Sequence, residues 1–108
     1  MTIKEYSERA IATATYGLGD SIIYPTLGLT GEAGEVSDKV KKVLRDRKGV
    51  FDDEIKHDIA KEIGDVVWYC NALARDLGYS LHEIMEMNIT KLESRKQRGV
   101  IGGSGDNR

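Results

Sequence analysis

Apolar residues recur at helical spacing along almost the whole of this chain, and there is a single proline, Pro25, with few strand-like alternations. That periodicity restricts the chain to an all-α fold. Four helical stretches fit it. The first spans about Thr2 to Tyr16, with Thr2 as N-cap and Glu5 at capping-box spacing, and Gly17-Leu18-Gly19-Asp20 breaks it. The second opens near Pro25-Thr26, where a missing N–H costs nothing, and runs to about Arg47. Its apolar stripe is Ala33, Val36, Val40, Val43 and Leu44, and Gly49 ends it. The third starts at Asp52 or Asp53 and reaches Leu77 before Gly78, with Ile55, Ile59, Ile63, Val66, Cys70, Leu73 and Leu77 in its stripe. The fourth begins at Ser80, with Glu83 completing a capping box, carries Leu81, Ile84, Met85, Ile89 and Leu92, and fades near Arg95. Short connections make neighbours antiparallel. The expected architecture is therefore an antiparallel four-helix bundle: one helical domain over residues 1–98, followed by a glycine-rich, flexible tail over 99–108.

Two acidic pairs interrupt these helices at equivalent places. Glu32-Ala33-Gly34-Glu35 lies on the second and Glu62-Ile63-Gly64-Asp65 on the third. Residues three apart project from one helix face, so two such faces turned together gather four carboxylates. With 100° of rotation per residue, Glu62 lies about 65° and Asp65 about 125° from the centre of their apolar stripe. Glu32 and Glu35 repeat this at about 70° and 130°. Each pair thus has one member at the core edge and one facing a cleft. Gly34 and Gly64 sit inside the pairs although glycine lowers helix propensity by about 1 kcal/mol; close helix approach or room for a ligand would explain them.

One acidic pair alone is an ordinary solvated face. Two on adjacent helices, each beside an apolar stripe, describe four repelling charges that need a cation between them. The donors are all carboxylates, and His57 and His82 fall outside both motifs. A di-iron bundle would offer Glu-x-x-His and zinc would bring His or Cys. An all-oxygen set favours Mg²⁺, with Mn²⁺ as a substitute. Carboxylate-bound Mg²⁺ commonly meets substrate phosphates, which directs attention to phosphate chemistry on a small molecule.

Composition narrows the setting. A net charge of −2 gives no basic surface for a nucleic-acid polymer. No apolar run is long enough for a membrane span, and Met1–Glu5 lacks the apolar stretch of a signal peptide, so a cytoplasmic protein is expected. Cys70, the single cysteine, falls on an apolar stripe as a small core residue. A core built from 108 residues is limited, and association would extend it.

Glu32-x-x-Glu35, 26 intervening residues and Glu62-x-x-Asp65 resemble the all-α nucleoside triphosphate pyrophosphohydrolases, more closely the MazG-like branch, whose relatives include dimeric dUTPases and dCTP pyrophosphatases. The resemblance covers about residues 5–98. Asn88-Ile89-Thr90-Lys91-Leu92-Glu93-Ser94-Arg95 is similar to the family's final helix, which carries an Asn and basic residues toward substrate, and Tyr69 matches a frequent aromatic position near the nucleotide. The resemblance implies Mg²⁺-dependent hydrolysis of nucleoside triphosphates, dNTPs above all, to monophosphate and pyrophosphate, as in nucleotide-pool house-cleaning. Glu32, Glu35, Glu62 and Asp65 would hold metal, Glu35 would also take the water proton, and Lys91, Arg95, Arg98, Asn88 and Tyr69 would contact substrate. It also implies a homodimer or homotetramer. Tyr16 and Tyr24 are candidates to stack on a base or to pack the loop, and Trp68 to sit at an interface or to pack within the chain. The alternatives are a dUTPase- or dCTPase-like specialist and a non-catalytic bundle that binds nucleotide or protein.

Overall fold

A computed structural model describes residues Met1–Arg108. Four helices form, α1 (Ile3–Ile11), α2 (Ile23–Asp46), α3 (Asp53–Asp76) and α4 (Leu81–Arg98), with no strands. The N-termini follow from local chemistry. Thr2 Oγ1 accepts the Glu5 amide at 3.0 Å, Asp52 Oδ1 accepts the Ile55 amide at 2.9 Å, and Ser80 and Glu83 complete a reciprocal capping box at 3.0 and 3.3 Å. Each satisfies amides that have no partner in a first turn. α3 and α4 end alike: Tyr79 N–H reaches Ala74 O, and Val100 N–H reaches Arg95 O, both at 2.9 Å. Gly78 and Gly99 take the left-handed conformation that such ends need, at φ 86° and 72°.

Two expected boundaries move. α1 stops at Ile11 rather than near Tyr16. The Ala10 carbonyl, instead of feeding another helical turn, accepts the Thr13 amide at 3.0 Å, the Thr13 hydroxyl at 2.7 Å and the Trp68 indole at 3.1 Å. Trp68 therefore packs within the chain, pinning the end of α1 to α3, and Asn71 adds a second pin by donating to Ser7 O at 3.1 Å. α4 continues past Arg95 to Arg98.

α2 and α3 lie side by side and antiparallel, because Gly28 meets Tyr69, Glu32 meets Asp65, and Lys39 meets Glu62. α1 and α4 touch each other and α3 over short stretches. The apolar stripes are only partly covered. Val43, Ile55 and Leu81 are buried and Val36, Val40, Ile59, Val66, Cys70, Leu73 and Ile84 half-buried, but Ala33, Leu44, Ile63, Leu77, Met85, Ile89 and Leu92 are exposed. Four-helix periodicity specifies faces for burial, and the four helices leave part of them open. The radius of gyration is 16.9 Å, against about 13 Å for a compact domain of this length. No helix is long and apolar enough to cross a membrane.

The tail folds back on the last turns of α4. Asp106 accepts from Lys91 Nζ at 2.8 Å, and Arg95 donates to the Asp106 carbonyl at 2.6 Å and its carboxylate at 3.1 Å. Arg95 is buried beneath this contact.

Candidate metal centre and substrate groove

One carboxylate oxygen from each of Glu32, Glu62 and Asp65 lies within 4.8 Å of the others. The cause is register: Glu32, in the third turn of α2 and at the edge of its apolar stripe, faces a pair one turn apart on antiparallel α3. Glu32 and Glu62 are half-buried and Asp65 is exposed, in keeping with their computed angles from the stripes. Glu35 is exposed and lies outside this trio, near enough for its charge to act on Glu32.

The cluster is electrostatically uncomfortable. Partial burial first, then a hydrogen bond to Glu62 and the negative charges of Asp65, Glu62 and Glu35, push the Glu32 carboxyl above its ordinary value. A cation at the convergence point would relieve this, and three hard oxygen donors fit a divalent ion. One neighbouring cation is already built in: Lys39 Nζ stands 3.6 Å from Glu62 Oε1. The sequence reading missed Lys39, although it follows Glu32 by seven residues and so shares its face.

Along the groove in the other direction stand aromatic rings. Tyr24, Gly28 and Glu32 follow one another at four-residue intervals on α2, as Asp65 and Tyr69 do on α3. The Tyr69 ring occupies the space a side chain at Gly28 would need. Burial, then contact with Tyr24 and the charges of Glu32 and Asp65, raise the Tyr69 phenol above its ordinary value. Tyr24 is 6.3 Å from Tyr69 between ring centroids and stacks on Tyr16 at 5.0 Å. Tyr6 of α1 also borders the cluster: burial, Asp65 and Cys70 raise its phenol.

The aromatic wall is fixed from behind by Asp76. Its carboxylate, 5% exposed, accepts from Tyr16 Oη at 2.9 Å and from the Ile22 amide at 3.0 Å. Burial opposes its charge, but the Ile22 amide, Tyr16 and Arg75 prevail and hold its pKa below the ordinary value. Ile22 needs that anchor, since its φ of 67° is unfavourable for a β-branched residue. Pro25, the largest fully buried side chain, follows in the first turn of α2.

The remaining sequence candidates stand elsewhere. Asn88 and Arg98 are exposed on α4, Lys91 is half-buried, and Arg95 is buried. No hydrogen bond or ion pair joins any of them to the four acids; Lys91 and Arg95 hold Asp106, and Arg98 binds Ser94 at 3.1 Å. Gly34 and Gly64 are not points of close approach either, because a side-chain carbon at either would meet open space. Gly28 is the close approach.

Residues 24–100 match the MazG nucleotide pyrophosphohydrolase domain, a span that contains the acid cluster, the aromatic pair and α4. The chain is 48% identical over 114 residues to the Gene 37 protein of Mycobacterium phage L5, with all of both chains covered. No solved structure matches it. The chain therefore belongs to the MazG nucleotide pyrophosphohydrolase family, and it is a hydrolase acting on nucleoside triphosphates.

Proposed function

We propose that this hydrolase converts nucleoside triphosphates, deoxynucleotides above all, to the monophosphate and pyrophosphate with Mg²⁺ as its cofactor, Mn²⁺ substituting. The observation that carries this is the convergence of Glu32, Glu62 and Asp65 oxygens within 4.8 Å in a groove that also holds Tyr24 and Tyr69. An all-carboxylate set without His or Cys favours Mg²⁺ or Mn²⁺ over zinc. Resemblance to dUTPases and dCTP pyrophosphatases supports the deoxynucleotide preference. A role in clearing noncanonical or surplus nucleotides from the cytoplasmic pool accords with that substrate class.

In this reading Glu32, Glu62 and Asp65 hold the metal, with Glu35 at the edge of the set. A bound divalent cation supplies positive charge against the phosphate oxygens and lowers the pKa of water. Glu35, exposed and one turn from Glu32, takes the proton of the attacking water. The water oxygen bonds to the α-phosphorus, the bond from that phosphorus to the α–β bridging oxygen breaks, and its electron pair leaves with pyrophosphate. Tyr69 and Tyr24 offer a face for the base.

The chain works in this reading as a homodimer or homotetramer. Exposed Leu27, Leu44, Ile63 and Ile89 and the extended shape support a second copy covering the open helical faces. Asn88, Lys91, Arg95 and Arg98 then meet substrate from a neighbouring copy. Incubation with each NTP and dNTP, with Mg²⁺ and again with a chelator, tests the proposal: monophosphate and pyrophosphate should form only with metal. Release of orthophosphate without pyrophosphate would overturn it.

A further inference from the structure

Arg95 is buried, yet no acid of a neighbouring helix answers its charge. Both of its hydrogen bonds go to Asp106, eleven residues on, at 2.6 Å to the backbone carbonyl and 3.1 Å to the carboxylate. Lys91, one turn earlier on the same face of α4, donates to the same carboxylate oxygen at 2.8 Å. Arg98, about one turn later, donates to the Arg108 carbonyl. Lys91, Arg95 and Arg98 are thus all engaged by one segment, residues 99–108.

The partnership is unequal. Lys91 and Arg95 stand on a regular helix, whereas the Asp106 side chain is 76% exposed and belongs to a segment holding Gly99, Gly102, Gly103 and Gly105. Ordering glycine costs more chain entropy than ordering any other residue. Gly103 and Gly105, at φ 113° and 84°, make the turn that returns Asp106 to α4. Arg108 fastens that turn by donating to the Val100, Ile101 and Gly105 carbonyls. An exposed ion pair contributes little by itself. This one is favoured by its short tether, which holds the carboxylate near the cations at an effective concentration on the order of millimolar. One anionic oxygen shared by an ammonium and a guanidinium is also how a phosphate oxygen is held, so Asp106 stands in for one.

We infer, on the footing of the pyrophosphohydrolase reading above, that the tail is an internal competitor of the substrate: Asp106 occupies Lys91 and Arg95 until a nucleotide phosphate displaces it. The nucleotide wins when abundant. A triphosphate carries several charges and offers Arg95 two oxygens at once, against the single charge and single shared oxygen of the Asp106 carboxylate. While the tail is docked, the fraction of molecules able to take substrate falls, and the apparent dissociation constant rises by the same factor. No hydrogen bond or ion pair joins the tail to the acid trio, so the chemical step itself is untouched. The device sets the nucleotide concentration at which the enzyme engages. Scarce nucleotide leaves the α4 cations capped, and surplus nucleotide uncaps them.

Steady-state kinetics of the full chain, Asp106→Ala, Lys91→Ala and the double variant test the competition, with Asn107→Ala as a control in the same exposed stretch. Asp106→Ala should lower KM at least about threefold with kcat unchanged, as for release of a competing ligand, and Asn107→Ala should change neither. In the Lys91→Ala background, removing the Asp106 carboxylate should lower KM less, the coupling expected of residues in contact. Relaxation of the ¹⁵N amides of Gly102, Gly103 and Gly105 gives a readout independent of turnover. Their order should fall when a nonhydrolysable deoxynucleoside triphosphate is added to saturation with Mg²⁺. An unchanged KM in Asp106→Ala, or glycine amides equally ordered with and without nucleotide, overturns the inference. A parent chain that turns over no nucleotide overturns the proposed reaction instead, and the glycine amides still decide whether nucleotide displaces the tail.

Discussion

The ring of Tyr69 lies in the space that a side chain at position 28 would occupy, so α2 and α3 approach closely one helical turn from Glu32 and one from Asp65. Gly28→Ala must displace the ring or spread the helices. Overpacking of this kind costs about 1–3 kcal/mol, and here it also disturbs the register that brings the acids together. A urea melt should show the loss of stability, and a titration with Mn²⁺ should show weaker metal binding. An alanine variant as stable as the parent would mean that the ring moves aside freely.

Glu62→Gln removes one donor of the trio while keeping its shape. Activity should fall by more than about 100-fold, beyond the range for groups that merely support a ligand, while the helical circular dichroism signal survives. Full activity in this variant would remove Glu62 from the metal site.

The raised pKa of Glu32 gives a signed pH effect. In the metal-free protein the folded state keeps a proton that the unfolded chain has released. The stability from this group is therefore fully present below its ordinary value of 4.5 and lost as pH rises through the raised one. Glu32→Gln carries no such penalty. With a chelator present, thermal melts between about pH 4 and pH 7 should show the variant gaining on the parent as pH rises. On the proposed reading the ionised trio is the Mg²⁺ site, so saturating Mg²⁺ should reverse that ranking near neutrality. A difference independent of pH would place the repulsion elsewhere.

Asp76 acts with the opposite sign. Its folded pKa is depressed, so its contribution is present above the ordinary 3.8 and is lost as pH falls through the depressed value. Asp76→Asn should cost about 2 kcal/mol at neutral pH, as for a charged acceptor serving Tyr16, the Ile22 amide and Arg75, and the cost should shrink in acid. Urea melts at neutral and acid pH measure both. Since Asp76 holds Tyr16 and Ile22, tyrosine fluorescence should also change in the folded variant; an unchanged spectrum would mean the Tyr16–Tyr24 stack stands without it.

What was legible in the sequence is what is encoded locally. Thr2, Asp52 and Ser80 cap helices through amides three residues away, and the two acidic pairs announce themselves by spacing within one helix. What failed to show depends on partners far along the chain. α1 ends early because Trp68, 58 residues on, takes the Ala10 carbonyl. Lys39 reads as one more surface lysine until the register of α2 on α3 sets it against Glu62. Gly34 and Gly64 drew attention by position, whereas Gly28, with no motif around it, is where the helices meet. Periodicity placed the helices but overstated their burial: Ala33, Leu44, Ile63, Leu77, Met85, Ile89 and Leu92 lie on apolar stripes and stay exposed, because what covers a stripe is set by the packing of other helices and not by spacing within its own.

In the proposed reaction the acid cluster directs water to the α-phosphorus. Hydrolysis of a dNTP in ¹⁸O-labelled water, with Mg²⁺ and product analysis by mass, tests it most directly. One ¹⁸O should enter the deoxynucleoside monophosphate and none the pyrophosphate. Label in pyrophosphate, or in free phosphate released alone, would contradict it.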